Sequence, residues 1–347
     1  MIGTLPPPYG GVSIHVVRLL ERLRAAQVDA RVYEQRGKQD LDNGVIPLGR
    51  NPLHYLALLL LNRDRILHLQ FNAVPALCLA GLVLPARGRR YLVTVHSERL
   101  FRVYSDMPLV ARWLLRRLIA RCVALVCVSE SIAESVPDVG CSMADKVHVI
   151  PAFLPPQQSE TNESLVPRRV LDFVSKKKQV IVSHGWFGYF IDDCHVYGFD
   201  LLVALANHLK NAGDGRCLVT IISGSYDESH RQTIYKAQDP LSDVWLISED
   251  AFPATSLFAK ADMFVRPTRT DGDSVSVREC LMMGVPVVAS NAVKRPAECL
   301  LFRNGSQSDF LRTVDQALKA PGTRFPVQQR EAEPAIVGLI KSLLEKK

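Results

Sequence analysis

Met263-Phe-Val-Arg-Pro-Thr-Arg-Thr-Asp-Gly-Asp-Ser-Val-Ser-Val-Arg-Glu-Cys-Leu-Met-Met-Gly-Val-Pro-Val-Val-Ala-Ser290 is the most informative stretch of the 347 residues. Met263–Arg266 has the apolar character and length of a buried strand, and a short loop with Asp271, Gly272 and Asp273 follows. The spacing then predicts a helix over Ser274–Met283, capped near Asp273 or Ser274 and closed by Gly284, before a strand at Val285–Ala289. Strand, helix and strand of these lengths make a βαβ unit in a parallel sheet. The free amides of residues about 274–276, Ser274 and Val275 foremost, would lie at the positive end of the helix dipole, a ready site for an anion. Glu279 lies one to two turns on, placed to accept hydrogen bonds from a vicinal diol, while Asp271 stands at the loop tip. A phosphate at the helix end with a ribose beside it suits a nucleotide diphosphate.

The same rhythm extends in both directions. Towards the N-terminus, strands are expected at Gln179–His184, Cys217–Ser223 and Val244–Ile247, with helices at Gly198–Lys210, Asp227–Lys236 and Ala254–Ala259. Polar, Pro-led sequence at 155–178 separates these from an earlier series. That series has strands at Ala30–Tyr33, Ile66–Phe71, Tyr91–His96, Leu125–Ser129 and Val147–Pro151, and helices at Val12–Arg24, 53–62, 73–84, Leu109–Val123 and Ser131–Val136. The fold class is therefore α/β: two Rossmann-like, doubly wound domains facing across a cleft. They are expected at 1–154 and 179–325, with 155–178 as linker and a last helix, near Pro334–Glu345, within 326–347. In such sheets ligands bind beyond the carboxyl ends of the strands.

Composition narrows the classes. With 48% hydrophobic and 22% charged residues, the chain is neither disordered, collagen-like nor coiled coil. The apolar runs are too short and too interrupted to span a membrane. The N-terminus has neither the basic nor the apolar region of a secretory leader, so a cytoplasmic location is expected. Eight cysteines without CxxC spacing read as reduced core residues. The net charge of +7 is carried wholly by residues 1–150, with 19 Lys and Arg against 12 Asp and Glu. A basic half-molecule attracts phosphates, anionic lipid or nucleic acid. Leu109–Val123 sets Arg112, Arg116, Arg117 and Arg121 around a helix that also carries Trp113, as an interfacial helix would; an amphipathic packing helix with snorkelling arginines fits equally. No nucleic-acid partner is expected, since the chain has no such module and no aromatic stacking platform.

Asp271-x7-Glu279 followed by Gly-Val-Pro-Val-Val-Ala-Ser resembles the Glu-x7-Glu signature of the family-4 retaining glycosyltransferases, which have the two-Rossmann GT-B fold. Pro7-Pro8-Tyr9-Gly10-Gly11-Val12 is similar to the family's N-terminal glycine loop, and Leu92-Val-Thr-Val-His96-Ser to its strand ending in an active-site His. Val126–Ser129, Val149–Phe153 and Gly198–Leu202 match further family stretches in order and spacing. The resemblance implies sugar transfer from a nucleotide-diphosphate donor, with retention, no metal and no cofactor. The acceptor would be a glycan or lipid-linked glycan in bacterial-type surface polysaccharide synthesis, and the enzyme would be cytoplasmic or peripheral at the inner membrane face. It assigns Asp271 and His96 to the transferred sugar. The donor would meet Gly10, Gly11, His184, Gly185, Arg266, Gly272, Asp273, Ser274, Val275 and Glu279.

The departures are specific. Asp271 replaces Glu, and His184-Gly185-Trp186 and Tyr197-Gly198 stand where the family places an Arg and a Lys on the diphosphate; Arg266 or the cations of Val293-Lys-Arg-Pro296 are the candidates to replace them. Duller readings remain beside these: Gly10-Gly11 as a tight turn, His96 as a core histidine, Asp271 and Asp273 as caps, and Asp192-Asp193-Cys194-His195 as a turn rather than a metal site. Rival functions are a nucleotide-sugar epimerase on the same fold and a non-catalytic nucleotide- or glycan-binding relative.

Overall fold

A computed structural model describes residues 1–70, 73–140, 142–191, 193–225, 227–319 and 332–346. Phe71, Cys141, Asp192 and the expected boundary at 325–326 lie outside the described residues. The chain divides into two compact units, one of Met1–Pro6, Gly11–Leu154 and Arg330–Lys347, the other of Pro7–Gly10 and Pro155–Gln329.

The first unit is built on strands β1 (Ile2–Gly3), β2 (Val32–Glu34), β3 (Val45–Pro47), β4 (Leu67–Leu69), β5 (Tyr91–Val95), β6 (Ala124–Cys127) and β7 (Val147–Val149). They pair in the order β3-β2-β1-β4-β5-β6-β7, every pair parallel. Parallel strands need crossover helices, which cover the faces and leave the central strands buried on both sides; all five residues of β5 are buried. The helix Gly11–Ala25 turns Val16, Leu19, Leu20 and Leu23 inward at helical spacing. The C-terminal helix Ala332–Glu345 joins this same core through Ile336, Ile340 and Leu343, and Arg22 Nε donates to Glu333 Oε2 at 2.9 Å. Helix Leu109–Arg121 packs closely on helix Val74–Ala86 at Gly81, where a Cβ would come within 2.2 Å of the Leu114 carbonyl oxygen.

The second unit contains β8 (Gln179–Phe187), a hairpin of β9 (Phe190–Ile191) and β10 (Cys194–His195), then β11 (Arg216–Ser225), β12 (Trp245–Ser248), β13 (Met263–Arg266), β14 (Val287–Ser290) and β15 (Leu300–Phe302). Its main sheet runs β12-β11-β8-β13-β14-β15, again all parallel. The order reverses between β8 and β13, so the crevice at their carboxyl ends is the topological switch point where α/β sheets hold ligands. In the first unit the switch point falls between β1 and β4.

Two expectations about organisation need amendment. The stretch 155–178 is no bare linker: it contains the helix Arg168–Val174, and Val166, Val170 and Val174 are buried in the core of the second unit. The alternation also continues past Ala289, through β15 and the helix Gln307–Lys319, whose Phe310, Val314 and Ala317 are buried at helical spacing. Of the described cysteines, five are buried as expected, Cys78 is half-buried, and Cys194 is exposed.

Candidate active site

At the end of β13 the chain turns through Pro267–Asp273 into the helix Val275–Met282, whose N-cap is Ser274. Neither Asp271 nor Asp273 caps that helix, and the Ser274 side chain makes no capping bond. The Ser274 hydroxyl is buried without a hydrogen-bond partner. A buried, unsatisfied hydroxyl at a helix N-terminus costs free energy unless a ligand meets it.

Asp271 is not at an exposed tip. Its carboxylate is 12% exposed and folded inward. Oδ2 accepts from Arg266 Nε at 3.0 Å and from Arg295 Nη1 at 2.9 Å, while Oδ1 accepts from Arg266 Nη2 at 3.2 Å and the Gly272 amide at 3.1 Å. Burial by itself would raise the carboxyl's pKa; the guanidinium groups of Arg266 and Arg295 overcome it and hold it well below the usual carboxylate range. Arg295 also donates to Thr268 Oγ1 at 2.9 Å, and its side chain is almost fully buried. Asp273 pairs with Arg278. Glu279 is buried on the helix that follows, one turn beyond Ser276.

His184 and Gly185 lie in the carboxyl-end part of β8. His184 Nδ1 is 3.0 Å from Ser276 Oγ, and Nε2 bonds Ser223 Oγ, whose hydroxyl contacts the Tyr9 carbonyl oxygen. Burial, reinforced by Arg266, lowers the imidazole pKa to about 3, so His184 supplies no positive charge at neutral pH. Arg266 donates to the His184 carbonyl oxygen at 2.9 Å and lies 5.1 Å from the Tyr197 ring centroid. Gly185 has a packing reason: a Cβ there would be 3.1 Å from the Tyr197 side chain. Gly10 belongs to this unit and Gly11 to the other. Neither has a positive φ, a Cβ on Gly10 would make only ordinary contact with Trp186, and the Gly10 amide donates to the Pro8 carbonyl oxygen at 3.1 Å.

His96 is in the first unit, just past β5, and is 9% exposed. It is not packed among apolar groups alone. Nε2 is 2.8 Å from Gln70 Oε1, and the His15 ring meets it edge-on with centroids 5.0 Å apart. Burial first, and His15 second, keep the His96 pKa well below the ordinary value. His15 is lowered to about 4 by burial, although Nδ1 is 2.7 Å from the Ala152 carbonyl oxygen, and its Nε2 is buried unpartnered. Sequence reasoning missed His15, Gln70, Ser223 and Ser276. His68-Leu69-Gln70 carried a signal, since alternate residues of a strand share a face.

Cys194 and His195 form β10, paired with Ile191 and Phe190, and Asp193, just before them, sits at φ 58°, which accords with the turn reading. Among the described residues no group of three or more His, Cys, Asp or Glu is arranged to hold a metal, and no helix is long and apolar enough to cross a membrane.

Residues 9–158 match the model of Glycosyltransferase Family 4. No curated protein matches the chain. Among solved structures, HepE of Anabaena in complex with UDP-glucose is 14% identical, with a TM-score of 0.65 over 99% of this chain and 96% of that one. Sucrose-phosphate synthase of Thermosynechococcus elongatus is 16% identical, with a TM-score of 0.65 over 99% and 95%. The trehalose-6-phosphate synthase OtsA is 12% identical, with a TM-score of 0.68 over 99% and 95%. The resemblance read from the motifs is thus borne out: residues 9–158 match glycosyltransferase family 4, and the chain has the two-domain fold of the GT-B glycosyltransferases.

Proposed function

We propose that the protein is a retaining glycosyltransferase that moves a sugar from a nucleotide-diphosphate donor to a glycan or lipid-linked glycan acceptor, in surface polysaccharide synthesis. The observation that carries this is the orphan Ser274 hydroxyl at the N-cap of the helix Val275–Met282, at the switch point of its sheet, with Arg266 ending the strand before it. Amides at a helix start and a nearby guanidinium stabilise the charge that grows on a departing diphosphate. Solved structures of like fold include one holding UDP-glucose, which supports a nucleotide sugar as donor. Glu279 binds the ribose, and His96 meets the transferred sugar. Asp271 acts through the two arginines it holds, and these replace the family's missing cations. The enzyme needs no divalent ion, because helix amides and arginines serve the phosphates, and it works at the cytoplasmic face of the inner membrane.

A panel of nucleoside diphosphates and nucleotide sugars, scanned by thermal shift and then titrated, tests the donor site. One ligand at about one hundred times its Kd stabilises by about 2.7 kcal/mol. Ser274→Ala removes an unpaired hydroxyl, so it leaves the melting temperature of the free protein unchanged or slightly higher, yet weakens nucleoside diphosphate binding roughly ten- to hundredfold, the worth of one hydrogen bond to a charged group. Binding of no member of the panel would overturn the reading. Turnover should persist in excess EDTA; loss of activity that Mg²⁺ or Mn²⁺ restores would remove the metal-free mechanism.

A further inference from the structure

Behind His96 runs a buried chain of polar groups. His96 Nε2 is 2.8 Å from Gln70 Oε1, Gln70 Nε2 is 3.4 Å from His68 Nδ1, and His68 Nε2 is 2.7 Å from Thr94 Oγ1. Gln70 is fully buried, and Thr94 and His68 nearly so. The strand period puts His68 and Gln70 on one face at β4, and Thr94 and His96 on one face at β5, and the parallel pairing of these strands brings the four together.

The chemistry of the amide orders the hydrogens. An amide oxygen only accepts and its nitrogen only donates. Gln70 Oε1 facing His96 therefore needs a hydrogen on His96 Nε2. Gln70 Nε2 facing His68 needs a lone pair on His68 Nδ1, so the His68 hydrogen sits on Nε2 and is donated to Thr94. A neutral imidazole carries one hydrogen, which leaves His96 Nδ1 as a lone pair. The groups around the chain are His15 and Arg18, and burial keeps the His15 ring neutral at pH 7 as well.

We infer that Gln70, backed by His68 and Thr94, fixes His96 in the Nε2–H tautomer, so that Nδ1 accepts a hydrogen bond from a hydroxyl of the transferred sugar. This rests on the reading of His96 as a sugar contact. Gln70 and His68 are positioning residues. The consequence is selectivity: a sugar with a hydroxyl at that place can donate to Nδ1, whereas one with fluorine or a methoxy group there cannot.

Long-range ¹H–¹⁵N correlation on protein labelled at histidine nitrogen, near pH 7 and without substrate, reads the tautomer directly; the His96 signals are assigned by their absence from His96→Gln. The expected spectrum has Nε2 protonated and Nδ1 bare. The chain can also run in reverse, with Thr94 donating to His68 and the hydrogen on His96 Nδ1, and that spectrum would overturn the inference. Thr94→Val should leave His96 unchanged, while Gln70→Leu should mix its tautomers and weaken binding of the donor sugar nucleotide about fivefold without altering that of the nucleoside diphosphate. A folded Gln70→Leu protein with one unchanged tautomer, or with equal losses for both ligands, overturns it; should that variant not fold, the wild-type spectrum decides. Because the tautomer is read without turnover, its failure leaves the glycosyl-transfer reading standing, and an inactive protein with the expected spectrum leaves the tautomer standing.

Discussion

Asp271 accepts from two buried guanidinium groups, and this changes what its loss should do. Asp271→Asn keeps an oxygen but removes the charge, and breaking a buried ion pair by removing one partner costs about 3–5 kcal/mol because a charge is left uncompensated. We expect a lower melting temperature together with weaker nucleoside diphosphate binding, since Arg266 and Arg295 lose their common anchor. An unchanged melting temperature with a selective fall in kcat would instead make the carboxylate a direct participant in the reaction. Glu279 is the contrast. A ribose contact is made equally in ground and transition states, so Glu279→Gln should raise the donor KM and spare kcat; a selective loss of kcat in steady-state kinetics would move it to the reacting centre.

At the scale of elements, the helix Leu109–Arg121 carries the sharpest ambiguity. One face packs inward through Leu115, Leu118 and Ile119, as a packing helix requires. Its outer surface leaves Leu109 74%, Val110 69% and Trp113 55% exposed, with the Arg117 guanidinium 5.4 Å from the Trp113 ring centroid. Apolar side chains beside arginines suit an anionic lipid surface, where each basic residue is worth about 1 kcal/mol. Flotation with anionic vesicles at low salt should recover the wild type, and recovery should collapse for Arg116→Glu, Arg117→Glu. Undiminished recovery of that variant would refute the assignment. The inward half of this helix was legible from its periodicity, as were most strands of four or more residues. β1, β3 and β15 were not, because two or three residues show no alternation, and their place is set by pairing with distant strands. The site divided likewise: the helix start at Ser274 was readable from local spacing, whereas the closure of Arg266, Arg295 and Asp271 depends on loops separated by 24 residues coming together.

For the whole molecule, buried histidines rather than carboxylates should govern stability in mild acid. His15 in the first unit and His184 in the second have pKa values lowered to about 4 and about 3, in both cases chiefly by burial. Each stays neutral in the folded chain, while the unfolded chain binds a proton below about pH 6.5, so the unfolded state holds more protons and stability rises with pH. The contribution is complete above about pH 6.5 and is lost on the way down towards the folded value, at about 1.4 kcal/mol per pH unit for each group. Asp271 has the same sign in a lower window, because a depressed carboxyl loses its contribution only below the unfolded value of about 3.9. Between pH 6.5 and 5 each unit loses about 2 kcal/mol through its own histidine, an appreciable share of the 5–15 kcal/mol typical of a domain. Melting temperatures should therefore hold level from about pH 7.5 to 6.5 and fall steeply below. His184→Asn, which keeps a neutral polar group, should flatten the fall for the transition of the second unit. A melting temperature that stayed level to about pH 4.5 would mean that these rings are charged in the folded protein, and the neutral His184 beside Arg266 would have to be abandoned.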